Sequence, residues 1–144
     1  MGVGRDLWSE FETQYNEHDA SGMAALYASD AVFTHPSGRY QGHDAIQTYL
    51  EGLLEGAAKP FSDQTMKTSL LIQERDTVVA EWRWLGTNTG PLIMPDGTEI
   101  AATGRTVALS GVNVITVRDG KVASERDYVD IASMMSQLGL LPGT

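Results

Sequence analysis

Val112-Asn113-Val114-Ile115-Thr116-Val117-Arg118-Asp119-Gly120-Lys121-Val122 is the stretch whose reading decides the fold. β-Branched residues fill its first half, as a pleated, half-buried surface favours, and Asp-Gly between apolar runs is a strong hairpin signal. Read as a three-residue turn, Arg118-Asp119-Gly120 with a left-handed Gly120, the hairpin sets Val117 opposite Lys121 and Asn113 opposite Glu125. Odd-numbered residues then share a face. Asp127 lies on that face diagonally from Asn113, at the ~7–8 Å usual for such neighbours.

Working outward, Thr65 to Gln73, Val78 to Leu85, Thr103 to Val117 and Val122 to Tyr128 all have strand composition, joined by Gln73-Glu74-Arg75-Asp76 and by a long loop from Asn88 to Thr98. Helical patterns come earlier. Leu7, Trp8, Phe11 and Tyr15 recur at spacings of three and four between Asp6 and Glu17, which predicts an amphipathic helix. Asp19 or Ser21 can cap a short second helix carrying Met23, Leu26 and Tyr27. Ala31 to His35 reads as a short strand halted by Pro36, with Ser37-Gly38 as a turn. A third helix starts near His43-Asp44, carries Ile46, Tyr49, Leu50, Leu53 and Leu54, and ends at Gly56 and Pro60. Asp130 can cap a last helix with Ile131, Met134, Met135 and Leu138, stopped by Gly139 and Pro142. Helices first and then an antiparallel meander predict an α+β domain over residues 1–144, its twisted sheet wrapped on helices around a cavity.

The chain has 144 residues, no cysteine and a formal net charge of −9. Disulfides, thiolate metal sites and cysteine nucleophiles are thereby excluded. The acidic balance and the scattered Lys and Arg oppose a phosphate backbone, so nucleic acid is not an expected partner. No run approaches the ~18–20 apolar residues of a membrane span, and the start has no apolar signal core, so a cytoplasmic protein is expected. No His and acid group has metal-ligand spacing, and neither a metal nor a cofactor is expected.

The hairpin, followed by Glu125-Arg126-Asp127-Tyr128-Val129-Asp130 and Gln137-Leu138-Gly139, resembles the carboxy-terminal signature of the SnoaL-like polyketide cyclases and of the related limonene epoxide hydrolases. Ala101-Ala102-Thr103-Gly104-Arg105, Asp30-Ala31-Val32-Phe33 and Gly42-His43-Asp44-Ala45-Ile46 extend the likeness over most of the chain from about Trp8 to Leu140. The resemblance implies the cone-shaped α+β barrel of the nuclear transport factor 2-like superfamily. It implies a hydrophobic small-molecule substrate and a homodimer. That superfamily also holds hydrolases, isomerases, dehydratases and binding modules.

Carried over by position, Asp127 stands where the cyclases have an acid/base aspartate and the epoxide hydrolases a catalytic one. Asn113 stands where some cyclases have histidine, and an amide carries no proton at ordinary pH. Trp82 and Trp84 replace the hydrolases' arginine and aspartate, while Phe33 and His35 stand at their tyrosine and asparagine. Epoxide hydrolysis by that trio is therefore disfavoured.

The residues' own chemistry agrees in part. A carboxylate in an apolar, Trp-lined cavity loses hydration, so the pKa of Asp127 should rise and make it a better base near neutral pH. Its bland alternative is a pairing with Arg126 or another cation. Glu125 shares the face, where a charge near a strand rim can equally be solvated. His35 is placed near the cavity, as catalyst or as a satisfied structural group, whereas His18 and His43 sit at helix boundaries and read as solvated. Val78, Ala80, Trp82 and Trp84 alternate on one strand face. The two indoles suit either stacking on a planar ligand or plain core filling. Tyr15, Phe11, Tyr49 and Met66 read as core or pocket wall, Phe33 joins the substrate-binding candidates, and Val79, Val112, Val114 and Thr116 read as an apolar outer face for dimerisation.

These readings predict a cofactor-independent cyclase or isomerase with Asp127 as base, on a polyketide-like or other hydrophobic molecule. The alternatives are a non-catalytic binding or dimerisation module, and a hydrolase or dehydratase using Asp127 and His35.

Overall fold

The computed structural model describes residues 2–56, 59–94 and 96–141. Four helices and eight strands follow in the order α1 (Val3–Asn16), α2 (Ala20–Ala24), β1 (Tyr27–His35), β2 (Gly38–Gln41), α3 (His43–Leu54), β3 (Thr65–Glu74), β4 (Thr77–Thr87), β5 (Leu92–Ile93), β6 (Glu99–Ile100), β7 (Thr106–Arg118), β8 (Lys121–Val129) and α4 (Ile131–Gln137). Six strands form one curved sheet in the order β2-β1-β8-β7-β4-β3. The sheet is open, with β2 and β3 as its edges, and β5 and β6 form a separate ribbon inside the long loop. Among the described residues no helix is long and apolar enough to cross a membrane.

The helical periodicities hold because each aligns an apolar stripe with the sheet. In α1, Trp8 and Phe11 are buried one turn apart with their rings stacked at 4.7 Å, and Trp8 closes its polar end by donating to Thr68 Oγ1 at 2.7 Å. Asp19 caps α2 by accepting from Gly22 N at 2.9 Å. Asp130 likewise caps α4 through Ser133 N. At the end of α4, Gly139 takes the left-handed conformation, φ 75°, that a helix stop favours. The expected stop at Pro142 lies outside the described residues.

Three expectations need correction. Leu26 and Tyr27 are not helical: Tyr27 opens β1, which is longer than the predicted Ala31–His35 and turns back through β2 where no strand was expected. The sheet is not wholly antiparallel, because β1 runs parallel to β8, with Phe33 opposite Glu125. The hairpin turn has two residues instead of three. Asp119 and Gly120 both have positive φ, 52° and 74°, and Arg118 pairs with Lys121. This is the primed turn that matches strand twist. A bulge then shifts register between Thr116 and Val117, so Asn113 faces Asp127 directly and Ile115 faces Glu125.

Inward residues of β4 and β7 build the floor of the cavity. Val78, Ala80, Trp82 and Trp84 point in from β4, while Val107, Leu109, Asn113, Ile115 and Val117 do so from β7. Space for Trp82 is made by its cross-strand partner Gly111, where an added Cβ would sit 2.4 Å from the indole. Helices α1, α3 and α4 close over this floor.

Candidate active site

Between floor and helices lies a cavity of about 170 Å³, with Phe11 and Tyr15 from α1, Tyr49, Leu50 and Leu53 from α3, and Ile131 and Met134 from α4 among its walls. All ten residues singled out in the sequence line it: Asp127, His35, Asn113, Trp82, Trp84, Phe33, Tyr15, Tyr49, Met66 and Glu125. A larger hollow of about 940 Å³, bordered by Lys67, Arg83 and Ser110, is an open groove at the sheet margin. We place the site in the smaller cavity, because its walls bring the carboxyls of Glu125 and Asp127 together among aromatic rings.

Two hydrogen-bonded chains start from the neighbouring indoles of β4. Trp82 Nε1 donates to Asn113 Oδ1 at 2.8 Å, Asn113 Nδ2 donates to Glu125 Oε2 at 2.9 Å, and Tyr27 donates its hydroxyl to Glu125 Oε1. An indole can only donate, so the Asn113 oxygen must face Trp82 and its amide nitrogen Glu125. Asn113 is therefore a connector with both ends engaged. Trp84 Nε1 donates to Tyr15 at 2.8 Å, Tyr15 donates to Gln64 Oε1, and Gln64 Nε2 donates to the carbonyls of Leu53 and Phe61.

The first chain ends in two carboxyls. Glu125 is 1% exposed, which rules out the solvated-rim reading; burial raises its pKa, opposed by hydrogen bonds from Asp127 and Tyr27. Asp127 is raised well above the usual carboxylate range, first by burial and then by the charge of Glu125 and a hydrogen bond to it. Its Oδ1 is buried and accepts from no N–H or O–H of the protein, and its carboxyl shares a hydrogen bond with that of Glu125. Pairing with Arg126 does not occur. Arg126 is exposed on the opposite face of β8.

His35 sits beside Phe33, Tyr40 and Tyr49, whose rings pack 4.5–6.0 Å apart. Burial lowers its pKa to about 4, so the ring is neutral near pH 7. Its Nδ1 accepts from the Ser37 backbone N–H at 3.0 Å, which leaves Nε2 to carry the proton. His18 is not simply solvated, since its Nε2 lies 2.7 Å from the Gln64 carbonyl. Burial pushes both Tyr15 and Tyr49 above the ordinary phenol range, keeping them neutral donors.

The sequence reading missed Tyr27 and Gln64. Tyr27 was hidden by the weak strand formers Ala28, Ser29 and Asp30 after it, although the aromatic at that position was a usable strand signal. Gln64 precedes a strand and resembles ordinary loop polarity; nothing local distinguishes it.

No curated protein matches the chain by sequence. Among solved structures, TsrD from Streptomyces laurentii superposes with a TM-score of 0.80 at 22% identity, with 96% of each chain covered. AclR from Streptomyces galilaeus, a proposed hydroxylase, gives 0.79 at 22% identity and the same coverage. A proposed SnoaL-like polyketide cyclase from Jannaschia sp. CCS1 gives 0.77 at 17% identity, over 99% of this chain and 97% of that one. Identities this low show a shared fold. The family profile described as a SnoaL-like domain matches residues 8–125, from the buried Trp8 to the buried Glu125, and the chain belongs to that SnoaL-like family.

Proposed function

We propose that this protein is a cofactor-independent cyclase or isomerase in which Asp127 moves a proton on a hydrophobic small molecule held in the cavity. The supporting observation is the Asp127 carboxyl: it belongs to the cavity wall, and its buried Oδ1 accepts from no N–H or O–H of the protein. Leaving such an atom unpartnered costs about 1–3 kcal/mol, and a substrate hydroxyl or acidic C–H would relieve that cost. The raised pKa strengthens Asp127 as a base once it is ionised, and positioning against the aromatic walls supplies orientation. After the proton is transferred, the same carboxyl can return it to another atom of the substrate.

Asp127→Asn is the test. The amide keeps size and hydrogen bonding but accepts no proton, so turnover should be lost while folding and ligand binding persist. Turnover within a few-fold of the parent would exclude the base role. It would favour the second reading, a binding module, which Asn113 supports because its fully engaged amide cannot relay a proton.

We also propose a cytoplasmic homodimer joined through the outer face of the sheet. There Ile72, Val79 and Val114 lie side by side across three strands, next to Leu70, Val112 and Tyr128. Leu70, Ile72 and Tyr128 are each at least half exposed, at 50%, 51% and 57%. Light scattering at micromolar concentration should give twice 15.6 kDa; a particle of the monomer mass would exclude the dimer.

A further inference from the structure

Among the described residues, no Lys or Arg lines the cavity, yet two carboxyls do. The indole and amide donors on its wall and two of its phenols are already committed, Trp82 to Asn113, Asn113 and Tyr27 to Glu125, Trp84 to Tyr15, and Tyr15 to Gln64, while the third phenol, Tyr49, lies beside Ser37. Against this, the Asp127 carboxyl accepts from none of them, and its Oδ1 is buried with no donor. Because Asp127 shares a hydrogen bond with Glu125, a proton held by the pair sits between the two carboxyls, and the Asp127 oxygen not engaged there presents lone pairs in either protonation state. The neutral His35, with its proton on Nε2, adds one donor that a carbonyl or hydroxyl oxygen can use.

Size narrows the ligand further. A dry apolar cavity of roughly 150 Å³ holds one benzene ring; this one is about 170 Å³. The surrounding Phe, Tyr and Trp rings favour a flat occupant.

We propose that the cavity takes an uncharged molecule about the size of one substituted ring, which donates a hydroxyl or N–H to the Asp127 carboxyl, and that it rejects carboxylates and phosphates. This specifies the substrate class for the site at which the acid/base reading is placed, and so rests on that placement. An anion brings only acceptors and negative charge to a wall that offers carboxyls, and no cation is at hand to offset its lost hydration.

Calorimetric titration of the full chain at pH 7 tests this with resorcinol, 1,3-dimethoxybenzene, benzoate and a dihydroxyanthraquinone as probes. Resorcinol should bind at least about tenfold more tightly than dimethoxybenzene, which shares its ring but cannot donate. Benzoate and the three-ring quinone should show no binding at the same concentrations. Benzoate or dimethoxybenzene binding within a few-fold of resorcinol would overturn the charge or donor requirement. A quinone bound as tightly as resorcinol would overturn the size limit. In Asp127→Asn, whose amide both donates and accepts, the preference for resorcinol over dimethoxybenzene should fall towards one; an unchanged preference would remove Asp127 from recognition. The parent comparison needs neither turnover nor a variant. Failure of the base role would leave it standing, and failure of these selectivities would leave the Asp127→Asn turnover test standing.

Discussion

Trp82 and Trp84 sit two residues apart on one face of one strand, yet the polar chains that begin at their indoles end differently. The Trp84 chain closes on neutral groups, passing through Tyr15 and Gln64 to two backbone carbonyls. The Trp82 chain passes through Asn113 and Glu125 and stops at a second carboxyl whose buried Oδ1 has no donor. A closed buried network holds a wall in place, whereas one that ends in coupled carboxyls keeps capacity for a proton or a ligand. The contrast teaches that burial by itself does not mark the reactive end; an unsatisfied atom does.

The contrast breaks most sharply at Asp127. Asp127→Asn should cut single-turnover rates by about 10²–10⁴-fold, the usual contribution of a positioned acid or base, with a melting temperature close to the parent's. At the closed end the effect should fall on stability instead. Gln64→Leu leaves the Tyr15 O–H without its acceptor and two carbonyls without their amide donor, and chemical denaturation should show a loss of roughly 3 kcal/mol. Its rate per folded molecule should remain near the parent's. A Gln64→Leu protein that is stable but inactive would erase the distinction between the two chains.

Smaller effects concern titration. If Asp127 acts as a base, turnover should rise with pH through its raised pKa. Glu125→Gln removes the like charge that contributes to that rise, so the midpoint of the pH–rate profile should move to lower pH. A midpoint that stays fixed or moves upward would uncouple the two carboxyls.

The smallest effect is on stability against pH. The folded-state pKa of Asp127 is raised, so its contribution is complete below the ordinary carboxylate range, about 4, and is lost as pH rises through the raised value. His35 has the opposite slope. With its folded-state pKa lowered to about 4, stability declines on acidification from ~6.5 towards that value as the unfolded chain takes up the proton more readily. Melting temperatures across pH should show the alkaline decline reduced in Asp127→Asn and the acid-side decline reduced in His35→Gln. The Gln64→Leu protein should keep both slopes.

Much of this molecule was determined by local rules that the sequence states openly. Spacings of three and four define α1 and α3. Asp19 and Asp130 supply caps, and alternation from Val78 to Trp84 points both indoles inward. Asp-Gly places the last hairpin. These follow from helix and strand periods and from turn chemistry, which act within a few residues.

The composition of the reactive end was decided only by the tertiary structure. Tyr27 reaches Glu125 across 98 residues because β1 joins the sheet parallel to β8. A bulge of one residue beyond the hairpin sets Asn113 against Asp127 and turns Glu125 inward. Gln64 acquires its role by meeting Tyr15 from a helix 49 residues away. Such contacts depend on strand register and on the packing of distant segments, where a one-residue slip reverses which side chains face the core. No local pattern carries that information, so the sequence alone determined much of the wall of the cavity, and the register of the sheet determined which carboxyls meet there.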